Sequence, residues 1–343
     1  MLTPMLLSSA GLDRLRHTPR PAPSDLPRGQ VNRCQTQDGR RQTYFLYVPR
    51  SAGRKAPLMV SVHGVSRNAR EHAGLLARHA ERYGAILVAP LFDEATFTDY
   101  QRLGRRGRGP RADFALDAII GEVLFKTGAD TRCLYMFGYS GGGQFVHRYA
   151  MAYPERVAGV VIGAAGWYTF PDPKLAFPRG IKSSAKLPGV RFCPNRFLRV
   201  PMCVIVGGDD TERDPELNAS ERIDAQQGKT RLERARNWLD TMSEAACRSA
   251  LNTDYRLEIM PGIQHSFKKG VRRGQLGERI FDFLFARKTN RELAGATLPS
   301  SRNERFVGPV SPNASKDSVV GSIPLLARSS PPFGSETATG IRP

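Results

Sequence analysis

The sequence has no run of about 20 apolar residues, the length a bilayer-spanning helix needs. It has no CxxC pair and no internal repeat, which removes zinc ribbons, thioredoxin-like redox sites and solenoid or propeller arrays. Cysteine is sparse and odd in number: Cys34, Cys133, Cys193, Cys203 and Cys247 are scattered over 343 residues. That pattern suggests neither a disulfide framework nor a structural metal, and it points to a reducing, cytoplasmic compartment. A single Cys193–Cys247 bridge stays open, while Cys133 and Cys203 sit beside apolar runs and read as small hydrophobes. The first ten residues lack a basic flank and a long enough apolar stretch for a secretory leader, so they read as a ragged extension.

Acid is scarce beside base. Asp and Glu number 32 against 51 Lys and Arg, a net charge of +19. Such an excess raises the prospect of an anionic partner. Five of the arginines crowd together at 102, 105, 106, 108 and 111. Yet no RRM, KH, zinc-finger or helix-turn-helix signature accompanies them, so a solvated basic surface is expected and nucleic acid is not. Were the cluster to overlie an active site, it would favour carboxylate- or phosphate-bearing substrates.

Polar, proline-rich composition at 1–29 and 289–343 cannot bury enough apolar surface to offset ordering, so disordered ends are expected around one domain at 30–288. Within it, short continuous apolar runs occur at Leu58–Val62, Ala85–Ala89, Cys133–Phe137, Val157–Ile162 and Cys203–Val206, and strands are also read at Tyr44–Val48, which alternates, and at Tyr255–Met260. They alternate with helical spacing at 68–82, 113–126, after Ser140, at 229–247 and at 276–285. Continuous apolar strands separated by helices predict an α/β fold with a mostly parallel sheet covered on both faces. The stretch 167–200, with five prolines, is too long for an ordinary connection and is a candidate lid or pocket wall.

Chemistry concentrates at Gly138-Tyr139-Ser140-Gly141-Gly142. A serine hydroxyl is a weak nucleophile unless it is exposed, held in position and given a base. A strand, a tight turn and a helix supply the first two, with glycine at −2 and +2 so that the backbones can approach. The acid and the histidine should follow in that order at the ends of later strands. Asp209 and Asp210 end one strand and His265 follows the next. The spacing after Gly207 favours Asp210 over Asp209, with Asp214 behind both. The Gly141 N–H and the Val65 N–H, in the loop after His63-Gly64, are candidate oxyanion donors. His63 reads mainly as a structural histidine of that loop. His63, Tyr139, Trp167 and Tyr168 are the candidate pocket residues.

The opening strand Asp38-Gly-Arg-Arg-Gln-Thr-Tyr-Phe-Leu-Tyr-Val-Pro49, the His63-Gly64 loop, the GYSGGG elbow and the Asp/His pair together resemble the poly(3-hydroxybutyrate) depolymerase and feruloyl-esterase-like branch of the α/β-hydrolases, over roughly residues 38–285. The resemblance implies the α/β-hydrolase fold and cleavage of carboxylic esters or thioesters through an acyl-enzyme on Ser140, Asp210 and His265. No metal or cofactor is called for. Acyl transfer or amide cleavage on the same residues, or a non-catalytic protein holding an anionic partner, are the alternatives. Secreted polymer-degrading members carry leaders, disulfides and a substrate-binding module; none is evident here.

Overall fold

The computed structural model describes residues 26–286, so the extensions read at 1–29 and 289–343 lie outside the described residues except for 26–29. Eight strands form one sheet: β1 (Val31–Gln35), β2 (Thr43–Tyr47), β3 (Pro57–Val62), β4 (Ile86–Pro90), β5 (Asp130–Tyr139), β6 (Val157–Gly163), β7 (Met202–Gly207) and β8 (Tyr255–Met260). Their order across the sheet is β1-β2-β4-β3-β5-β6-β7-β8. β1 and β2, and β2 and β4, pair antiparallel; from β4 to β8 every pairing is parallel. The central strands read as unbroken apolar runs because both faces are covered. β3, β4, β6 and β7 are buried almost end to end.

The helices are α1 (Ala69–Arg82), α2 (Ala112–Thr127), α3 (Gly141–Ala152), the single turn α4 (Pro194–Phe197), α5 (Glu221–Gln227), α6 (Arg231–Arg248), α7 (Phe267–Arg273) and α8 (Leu276–Phe281). One layer joins α1 to α8, with His79 stacked on Phe281 and Arg78 paired to Glu278. The other joins α2, α3 and α6: Asp113 and Asp117 accept hydrogen bonds from Tyr153 and Tyr149 at the end of α3, and His147 packs edge-on against Trp238. α6 begins with a capping box in which Thr230 and Glu233 satisfy each other's backbone N–H.

The structure differs from the sequence reading at several elements, among them the single turn α4 inside 167–200, and at one cysteine. β1 is absent from it because VNRCQ is polar and half-exposed at the sheet edge. α5 and α7 are absent because each buries only two or three side chains, too few for a helical period. Cys133 is exposed near the start of β5 rather than packed as a small hydrophobe, and all five cysteines are free thiols, including Cys193 and Cys247. No helix among the described residues is long and apolar enough to cross a membrane.

The segment 167–200 is folded into the core rather than set apart from it. Phe170, Phe177, Ile181, Leu187 and Phe197 are all buried, and Phe177 stacks on Phe192. Its backbone bonds to itself through Phe170 N–H to Arg179 O and Ile181 N–H to Asp172 O.

Candidate active site

β5 runs directly into α3, and Ser140 is the hinge between them. Its φ of 54° and ψ of −115° lie in a region that costs a side-chain-bearing residue about 1–3 kcal/mol. The Ser140 N–H donates to Gly163 O on β6 at 2.7 Å, and its C=O accepts from Gln144 N–H at 3.1 Å, fixing the turn from both sides. The turn closes only because it lacks side chains. A Cβ on Gly142 would lie 2.0 Å from Val62 O and 2.6 Å from His63 O, both backbone atoms that cannot yield. One on Gly138 would lie 2.2 Å from Gly142 O. Gly142→Ala should therefore cost about 3 kcal/mol of stability, the upper end for overpacking. Urea unfolding measures it, and a loss under about 1 kcal/mol would mean that the elbow has room to relax.

The ends of β7 and β8 bring the partners to this turn. The His265 Nδ1–H donates to Asp210 Oδ2 at 2.7 Å, and Ser140 Oγ lies 3.0 Å from His265 Nε2. A carboxylate only accepts, so Asp210 fixes the tautomer with hydrogen on Nδ1 and leaves Nε2 free to accept from the serine hydroxyl. The ring of Tyr139 lies 5.4 Å from that of His265 and backs it. Asp210 is 2% exposed. Asp209 instead ties its N–H to Ile263 O in the turn. Asp214 is held by Arg231, whose guanidinium also reaches Asp210.

The loop after β3 lies against Ser140. A Cβ built on Gly64 would be 3.4 Å from Ser140 Cβ. His63 is wholly buried there, donating from Nδ1 to Gly64 O at 2.7 Å and accepting the Phe92 N–H at Nε2 at 3.0 Å. Burial pushes its pKa down to about 4, so it is a neutral strap. The Val65 N–H has no acceptor among the described residues, and the Gly141 N–H belongs to the unsatisfied first turn of α3. Across from them the 3-10 turn Tyr100–Arg102 covers the elbow. Tyr100 donates its hydroxyl to His63 O, and the Gln101 side chain lies closely over Gly141.

A cavity of about 330 Å³ opens at Ser140, bordered by Gly64, Val65, Tyr139 and His265, with Glu71, Glu216 and Lys268 among its polar walls. Trp167 and Tyr168 do not border it, nor does any residue of 167–200. Tyr168 is buried and stacks on Trp238 at 4.8 Å; Trp167 lies under the Arg148 guanidinium at 4.3 Å. Both are packing residues, because the chain leaving β6 passes beneath α6. The arginine run is also elsewhere. Arg102 and Arg105 converge on buried Asp99, Arg111 pairs with Asp113, and Arg106 and Arg108 are exposed. A larger hollow of about 700 Å³, lined by Arg40, Arg41, Arg111 and Phe114, shares no residue with the Ser140 cavity. No group of three or more His, Cys, Asp or Glu side chains is gathered for a metal among the described residues.

Sequence reasoning passed over Arg231, Glu216, Lys268 and Gln101. A signal for Arg231 exists: with Arg234 it puts two cations in the first turn of α6, where the helix dipole disfavours them. Arg234, too, is buried, bonding Gly166 O, Gly228 O, Asn218 O and Asp224.

Among solved structures the chain is similar to poly(aspartic acid) hydrolase-1 from Sphingomonas sp. KT-1, with a TM-score of 0.64 and 21% identity over 74% of this chain and all of the other. It is also similar to LpqC, the poly(3-hydroxybutyrate) depolymerase of Bordetella parapertussis, with a TM-score of 0.61 and 27% identity over 77% of this chain and 94% of that one. Feruloyl esterase B of Talaromyces funiculosus is 30% identical over 130 residues, a match that spans 37% of this chain and 36% of that protein's length. No family model matches. The resemblance read from the sequence is thus borne out, and the chain has the α/β-hydrolase fold.

Proposed function

We propose that this α/β-hydrolase-fold chain is an esterase-type serine hydrolase that cleaves carboxylic esters or thioesters through an acyl-enzyme on Ser140. The observation that carries this reading is the unbroken hydrogen-bond line from Ser140 Oγ through His265 to Asp210. As His265 Nε2 takes the hydroxyl proton, Ser140 Oγ adds to the ester carbonyl, and Asp210 offsets the charge that develops on the imidazole. The tetrahedral oxyanion is assigned to the N–H groups of Gly141 and Val65, supported by the absence of another acceptor for Val65 N–H among the described residues and by the place of Gly141 in the first turn of α3. Collapse expels the alcohol or thiol with the proton from His265. A water then attacks the acyl-serine with His265 again as base, returning the hydroxyl to Ser140 and releasing the acid. The cavity sits at the small end of ligand sites, roughly 300–1,000 Å³, which suits one short or medium acyl group rather than a long chain. The relatives named for poly(3-hydroxybutyrate) and feruloyl esters make hydroxyacyl and aromatic acyl esters the first to try.

A fluorophosphonate probe and a panel of p-nitrophenyl esters of graded acyl length test it. Wild type should be labelled and turn over short esters, and Ser140→Ala should do neither. Hydrolysis that survives Ser140→Ala, or an unlabelled wild type that instead binds polyanions in a salt-sensitive way, would overturn the proposal in favour of a binding role.

A further inference from the structure

We infer that Arg231, braced by Asp214, is a positioning residue that locks the Asp210 carboxylate and offsets the second negative charge that Asp214 would place behind His265; the inference rests on the hydrolase reading above. Arg231 is the first residue of α6, and its side chain is 1% exposed. Its Nη1 lies 3.2 Å from Asp210 Oδ1 and 2.5 Å from Asp214 Oδ2, and its Nη2 donates to Asp214 Oδ1 at 2.9 Å. Asp210 therefore has both oxygens engaged, Oδ2 by His265 and Oδ1 by Arg231. Rotating that carboxylate breaks a charge-assisted bond whichever way it turns.

Burying an arginine is unfavourable unless its geometry makes up for the loss of water. Here Asp214 supplies a two-pronged pairing, and the capping box at Thr230 fixes the helix end that carries the side chain. Burial alone opposes charge on Asp214, but hydrogen bonds and attraction from Arg231 reverse this and hold its carboxyl below the usual range. Burial likewise opposes the charge on Arg231, and the two carboxylates outweigh it. One cation between two anions leaves a single net negative charge behind His265, the charge a lone aspartate would provide. What the pair adds is fixity.

That arithmetic makes the two flanking residues separable. Taking the charge from Arg231 leaves two anions behind the imidazole, which favours its protonated form. Taking the charge from Asp214 leaves none net, which disfavours it. The other groups around His265 stay constant between variants: the Tyr139 phenol beside it, Glu71 and His72 of α1, Glu216 before α5, and Lys268 of α7.

The experiment is the pH profile of kcat/KM on p-nitrophenyl acetate for wild type, Arg231→Met, Arg231→Lys and Asp214→Asn. Rates are counted per fluorophosphonate-reactive site, so that misfolded protein drops out. Arg231→Met should move the acid limb up by about one pH unit and Asp214→Asn should move it down by a similar amount. Arg231→Met should also lower kcat about 10- to 100-fold with little change in KM, as a loosened base would. Arg231→Lys should return the limb to its place without returning full kcat, because an ammonium cannot fork across both carboxylates. Should Arg231→Met fail to fold, Arg231→Lys and Asp214→Asn decide. Limbs of Arg231→Met and Asp214→Asn that coincide with wild type, or that shift the same way, overturn the inference while the Ser140 reading stands, as does an Arg231→Lys that keeps full kcat beside an unshifted Asp214→Asn. Hydrolysis surviving Ser140→Ala removes that reading and the inference with it.

Discussion

Asp210→Asn should lower kcat by about four orders of magnitude while Asp209→Asn leaves it within about twofold. The two side chains are neighbours in sequence, yet only Asp210 reaches the imidazole. An amide at 210 can turn its NH₂ toward His265 Nδ1, which must then accept. The ring responds by moving its hydrogen to Nε2, where it points at Ser140 Oγ, and the base is lost rather than merely weakened. The geometry favours that flip, because the amide oxygen is then the atom facing Arg231 Nη1, the donor that now meets Asp210 Oδ1. A smaller change at position 214 is expected, since Asp214 touches the relay only through Arg231. Steady-state kinetics on a neutral ester, counted per labelled site, distinguishes the three. Retention of more than a tenth of the wild-type kcat in Asp210→Asn, with a large loss in Asp209→Asn, would make Asp209 the acid in place of Asp210.

Much of the fold was legible because it rests on local pattern. Buried parallel strands must be apolar on both faces, so β3, β4, β6 and β7 announce themselves as runs such as LMVSV and ILVAP. The elbow was legible for a different reason. Two glycines around a serine are demanded because a Cβ at either would lie 2.0–2.2 Å from a backbone oxygen. The surroundings of the site were not legible, because they depend on which distant segments meet. Arg231 carries only the weak signal of a cation in a helix's first turn until α6 sets it between Asp210 and Asp214. Trp167 and Tyr168 follow a strand in the manner of pocket aromatics, yet Trp238, some 70 residues later, claims the Tyr168 face.

The same holds for the basic excess. Part of it is internal: Arg148, Arg231 and Arg234 are fully buried, and Arg148 bonds Thr169, Gln144 and the Gln101 carbonyl without a carboxylate. Guanidinium groups here tie irregular backbone to helices, a task their five fixed donors suit better than lysine's single ammonium. A count of charges cannot separate such clamps from a surface meant for an anion.

Stability should fall steeply as pH drops below about 6.5, by roughly 4 kcal/mol per pH unit, because three buried histidines are each neutral in the fold and each contributes about 1.4 kcal/mol per unit. His63, His72 and His147 are all wholly buried. Burial is the first cause of depression in each, bringing His63 to about 4 and the other two well below their ordinary value. Hydrogen bonding explains why water cannot rescue the charged form. His147 donates from Nδ1 to Gly143 O and accepts the Thr169 N–H at Nε2, the same strap His63 makes between Gly64 and Phe92. A proton on either Nε2 would face a backbone N–H, donor against donor. The sign follows: with folded values below the unfolded 6.5, the stabilisation is complete above that pH and is lost as pH falls from there toward about 4, where His63 titrates in place. Urea midpoints at pH 7.5, 6.0 and 5.0 measure it, and His147→Gln should flatten the slope by about a third. A stability unchanged from pH 7.5 to 5.0 would mean that these imidazoles take up protons without unfolding. Since His63 also carries the loop that presents the Val65 N–H, activity should then outlast acid as well. The strap at His63 therefore links acid resistance to the shape of the loop that lies against Ser140.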